Sequence, residues 1–122
     1  MRLAPIVLGL VGLAPGAWAQ DAGTTPWLPK TVASVQALDK VNARGSLLKI
    51  EVGQAATFGS LTIAVKACVV RPTDVPADAA AFLTVTDKNP NEPGFTGWML
   101  KSTPAVSMLQ HPIYDVRVVG CS

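Results

Sequence analysis

Leu61-Thr62-Ile63-Ala64-Val65-Lys66 alternates bulky apolar residues with smaller or polar ones, a period of two that suits a half-buried strand. Leu48, Ile50 and Val52 repeat the pattern around Lys49 and Glu51. Gly53 and Gly59 punctuate the two runs, with Phe58 between them. Further on, Phe82-Leu83-Thr84-Val85-Thr86 is a compact run of β-favouring residues. It stops at Asp87-Lys88-Asn89-Pro90 and Asn91-Glu92-Pro93-Gly94, where turn residues crowd together. Phe95–Leu100 and Tyr114–Val119 are two more candidate strands, and the two prolines within residues 71–80 predict a loop. Val32, Val35, Leu38 and Val41 recur every three residues, which fits a short amphipathic helix as well as a strand. Ser107–Gln110 suits one helical turn. With no long helical periodicity, the fold class is all-β: a small β-sandwich or partly open barrel of roughly six to eight short strands.

Before this region the chain has a different character. Arg2 supplies a positive start, Leu3–Leu13 runs without a charge, and Pro15-Gly16 precedes the small-x-small sequence Ala17-Trp18-Ala19. That is the layout of a Sec-type signal peptide over residues 1–19, cleaved after Ala19. The apolar run is about half of the ~20 residues needed to cross a bilayer. A periplasmic protein with no transmembrane span after cleavage is therefore expected. Residues 20–31, rich in Pro, Thr and Gly, read as a flexible lead-in to a single β domain over 32–122, with Trp27 either docked on that domain or an exposed aromatic for a partner.

The 122 residues allow one domain, and the 49% hydrophobic content is too high for a disordered chain. Formal charge is +2, and the cations are spread singly, so no basic footprint for nucleic acid exists. Cys68 and Cys121 are the only cysteines, an even count that implies one disulfide in an exported chain. No C-x-x-C spacing suggests a redox pair.

VQALDKVNAR at 35–44, ATFGSLTIAVKAC at 56–68, AAFLTV at 80–85 and FTGWMLKSTPAVSMLQHPIYDVRVVGC at 95–121 together resemble one family. It is the group of small exported Gram-negative bacterial proteins known as domain of unknown function 2155. The most specific parts are Leu38-Asp39-Lys40, Phe58-Gly59-x-Leu61, Cys68, Gly97-Trp98-Met99, and His111-Pro112 through Tyr114-Asp115-Val116 to Cys121. The resemblance implies export, an envelope location and a mostly β domain. It tips residues 35–41 toward strand and implies no catalytic residue.

Chemistry therefore rests on single residues. His111 is the one histidine, with Asp115 four positions on and Tyr114 beside it. A hydrolase would need Ser102 or Ser107 within reach of the imidazole, yet no G-x-S-x-G elbow surrounds either serine. The plainer role for His111 is packing at a loop-to-strand junction, bonded to backbone. Met99, Met108 and His111 have the ligand types of a copper site but too few members, so no metal and no cofactor are expected. Asp39 suits turn backbone, and Lys40 suits an acid on another strand. Trp98 beside Gly97 belongs in the core of a small sandwich; exposed, it would anchor an interaction surface with Phe95 and Tyr114. Two functions follow from different classes. One is a non-enzymatic binding or structural module for another envelope protein. The other is a small hydrolase-like enzyme using His111 and Asp115.

Overall fold

The structure, a computed structural model, describes residues 26–104 and 107–122. The signal-peptide reading of 1–19 and the first part of the lead-in lie outside the described residues. Eight strands follow in order: β1 Leu28–Pro29, β2 Val32–Asp39, β3 Arg44–Glu51, β4 Ala55–Phe58, β5 Leu61–Val70, β6 Ala79–Asp87, β7 Phe95–Leu100 and β8 Tyr114–Cys121. All pairings are antiparallel. The central strand β5 pairs β6 along one edge, and β7 continues beyond it. Along its other edge β5 pairs β4 near its start and β1 near its end. A second sheet runs β3-β2-β8.

The alternation read from the sequence is the one that buries the core. Leu61, Ile63 and Val65 of β5, Leu83 and Val85 of β6, Val35 of β2, and Val116 and Val118 of β8 all point between the sheets. A bulge between Val65 and Ala67 shifts the phase of β5, so that Cys68 also faces inward. There it bonds Cys121 of β8 and joins one sheet to the other, with Cα atoms 5.7 Å apart. That spacing sits within the ordinary range for disulfides.

Several local expectations change. The three-residue spacing of Val32, Val35, Leu38 and Val41 is not helical: β2 is extended through Asp39, and the tight β2–β3 turn carries Val41 at its tip. Residues 107–110 form no helical turn. The proline-containing loop ends at Asp78, because Ala79 and Ala80 already pair with β5. Strand pairing also begins before Val32, since Leu28 and Pro29 pair with Val70 and Val69. A two-residue ladder was invisible to periodicity. Among the described residues, no helix is long and apolar enough to cross a membrane.

Candidate functional site

Polar chemistry gathers at one end of the sandwich, where β2 ends, β4 turns into β5, β6 ends and β8 begins. Asp39 closes the β2–β3 turn: its Oδ1 accepts the Val41 and Asn42 N–H groups, and its Oδ2 accepts the Asn42 side-chain amide. Those bonds, led by the Asn42 side chain, hold the Asp39 carboxyl below the usual carboxylate range. Lys40 next to it donates from Nζ to the His111 carbonyl at 2.9 Å, rather than to an acid. The loop entering β8 is thus tied to the turn leaving β2.

His111 is buried, and its ring is committed on both sides. Nδ1 accepts the N–H groups of Ile113 (3.0 Å) and Tyr114 (3.3 Å), which places the ring proton on Nε2. Nε2 donates to Asp87 Oδ2 at 2.7 Å, with both side chains essentially sealed from solvent. Asp87 stands at the end of β6. The Asn89 N–H, then the His111 imidazole and the Ser60 hydroxyl, hold its carboxyl below the usual range against the opposing pull of burial. The Tyr114 ring lies 5.0 Å from His111, edge-on to Phe58, and its hydroxyl accepts the Ser60 N–H.

This arrangement does not bring His111 and Asp115 together. Asp115 faces Leu38 across the β2–β8 ladder and lines a separate cavity of about 320 Å³ with Met99, Ser107, Met108 and Arg117. Ser102 is elsewhere too, its hydroxyl 2.6 Å from Asp78. General-base chemistry needs a ring nitrogen free to take a proton from a nucleophile, and His111 has none. Metal ligation needs the same lone pair. Met99 and Met108 line one cavity, and His111 is not among the described residues that line it. Sequence reading missed Asp87 and Ser60, because each reaches His111 or Tyr114 only through tertiary pairing.

Two expected results follow at this end. Asp39 and Asp87 both have depressed folded-state values, so the stability they contribute is complete above the ordinary carboxylate range near pH 4 and is lost as pH falls through the depressed values. Urea denaturation from pH 6 down to pH 2.5 should show that decline, and Asp87→Asn should flatten it. An unchanged slope in the variant would contradict the assignment. Gly59 adopts φ +59°, and a Cβ there would overlap the Tyr114 hydroxyl. Gly59→Ala should destabilise by about 1–3 kcal/mol through backbone strain and crowding, read as a lowered midpoint at constant m-value.

The outer face of the five-stranded sheet has the opposite character. Trp98 is not in the core: it is 43% exposed, because Met99 next to it takes the inward position and the alternation turns Trp98 out. It sits edge-to-face on Phe82, its partner in the β6–β7 register. Trp27 is half-buried, with the Arg71 guanidinium 4.6 Å over its ring. Trp27, Val69, Ala80, Trp98 and Leu100 line an apolar cavity of about 370 Å³. Phe95 and Tyr114 do not join this surface. Phe95 and Tyr114 both pack against the core, Tyr114 from the other sheet at the polar end.

Residues 33–121 match the family described as "Uncharacterized protein conserved in bacteria (DUF2155)". The chain belongs to this family. It is also similar to an uncharacterized protein of Rickettsia prowazekii (strain Madrid E), at 27% identity over 94 residues, which covers 75% of this chain. The chain spans 61% of that relative's length. No solved structure matches the present chain. Within this DUF2155 chain, three of the stretches that carried the resemblance meet at the polar end. They are Leu38-Asp39-Lys40, Phe58-Gly59 and His111–Tyr114, linked through Lys40 to the His111 carbonyl and through the Tyr114 hydroxyl to Ser60. Gly97-Trp98-Met99 lies apart on β7.

Proposed function

We propose that the protein is exported to the periplasm by a Sec-type signal peptide and acts there as a non-enzymatic module that holds another envelope protein. The exposed Trp98 indole above an apolar cavity carries this reading. Large exposed apolar features of this kind mark interaction sites, and tryptophan is enriched among residues that dominate binding energy. The polar cluster supports it from the other side, since His111, Asp87, Asp39 and Lys40 are all engaged in holding loops together. Export is supported by the charge-free run Leu3–Leu13 ahead of Ala17-Trp18-Ala19. The Cys68–Cys121 bond adds to that support, because such bonds persist in oxidising compartments.

Capture of the tagged protein from gently crosslinked envelopes tests the module. A partner should be recovered with the wild type and with Leu47→Ala, a control on the other sheet, and lost with Trp98→Ala at a nearly unchanged Tm. Recovery of a lone monomer throughout, or capture indifferent to Trp98, would contradict it. Intact mass tests the export half: the mature chain should begin at Gln20, and retention of Met1 in the envelope fraction would contradict cleavage.

A further inference from the structure

We infer that the outer face of the five-stranded sheet takes an acidic, apolar-rich segment of a partner polypeptide, with bulky side chains seated between Trp27 and Trp98 and a carboxylate on Arg71. This rests on the binding-module reading above and names the chemistry of the partner.

The shape comes from the register. Pro29, Val69, Ala80 and Leu100 are neighbours across β1, β5, β6 and β7, so they form a floor that runs perpendicular to the strands. Trp27 and Trp98 rise from it as walls. Among the described residues, no charged, hydroxyl or amide side chain lines the cavity. A sugar or nucleotide needs several convergent hydrogen-bonding groups, so neither fits this floor. At about 370 Å³ the space lies at the small end of ligand sites, a size for one or two side chains.

Charge selects among apolar partners. Arg71 is exposed and stacks on the indole that walls the cavity. Among the described residues, no carboxylate lies within ion-pair distance of it. The acid paired with it through backbone, Asp78, has its carboxylate occupied by the Ala79 and Ser102 N–H groups and the Ser102 hydroxyl. Burial alone would raise the Asp78 carboxyl, but these bonds and the nearby Arg71 charge keep it low and ionised. A stacked guanidinium is weakly hydrated and keeps its fork of donors available to a carboxylate from outside. A basic partner would be repelled there.

A polypeptide fits better than an acyl chain because of β7. It ends the sheet, its sequence Phe95-Thr96-Gly97-Trp98-Met99-Leu100 carries no charge or proline, and among the described residues nothing bonds its outer backbone edge. Charged residues and prolines are the usual protection of such an edge. A chain entering the cavity over β7 meets backbone donors and acceptors that have no partner among the described residues, which an acyl chain does not use.

The purified protein should be titrated with short, terminally blocked peptides alternating leucine with glutamate, with the same peptides carrying lysine for glutamate, and with phosphatidylglycerol vesicles. Tryptophan fluorescence reports binding. The acidic peptides should bind at least about tenfold more tightly than the basic ones. Arg71→Gln should erase that difference, and Trp98→Ala should abolish binding of both. Equal affinity for the two peptides, indifference to Arg71→Gln, or binding of vesicles alone would overturn the inference. Envelope capture that depends on Trp98 but is undisturbed by excess acidic peptide would overturn it too, while leaving the binding module intact.

Discussion

Replacing both Cys68 and Cys121 with alanine should lower stability by about 4 kcal/mol, the chain-entropy value for a closed loop of this length. The bond joins positions 53 residues apart, and between them lie β6, β7 and the long connection to β8. In the unfolded chain that separation leaves great freedom for the bond to remove. In the folded chain it fastens the middle of the five-stranded sheet to β8 of the smaller one, so it acts where the two layers meet. Domains of this size are stable by ~5–15 kcal/mol in total, so the loss brings the variant close to unfolding at 37 °C. Urea denaturation of the oxidised wild type and the double variant measures it. A difference below about 1 kcal/mol would mean the sheets hold together without the bond.

His111→Ala should be the most damaging single substitution at the polar end. The Ile113 and Tyr114 N–H groups lose their common acceptor, and an unsatisfied buried donor costs about 1–3 kcal/mol. The emptied ring position adds a cavity beneath Tyr114. Together these predict a loss of about 3 kcal/mol or more, read as a fall in Tm. Asp87 is left facing an empty space in the same variant. His111→Gln can restore at most part of the pattern and should fall between the two. A general base would behave differently: its replacement would stop turnover at unchanged Tm.

Strand identity was legible wherever one face of a strand is buried and the other is wet, because the alternation in Leu61–Val65 or Leu48–Val52 is then written directly into the residue types. It was ambiguous at Val32–Asp39, where the inward positions are Ala33, Val35 and Ala37 and alanine carries little contrast with its neighbours. The face that Trp98 takes was open between core and surface for a related reason. Its side chain suits a core, and only the register with Phe82 and the inward turn of Met99 decide its face. At the polar end, His111 was visible as a lone imidazole, but its acid was not. Asp115 lies four residues away, a separation that brings side chains together on a helix and not on a strand. Asp87 is 24 residues away in sequence and reaches His111 only once β6 and β8 have been assembled into opposing sheets. Three separated motifs converge at that end by the same route, which no local spacing encodes.

Nitrogen-15 NMR of the sole histidine tests most directly whether this imidazole belongs to the scaffold. With one ring in the chain, the spectrum needs no assignment. A single tautomer, with a slowly exchanging proton on Nε2 and a bare Nδ1, is the predicted result. Rapid averaging between tautomers, as in a ring open to water, would contradict the account and return His111 to the residues available for chemistry.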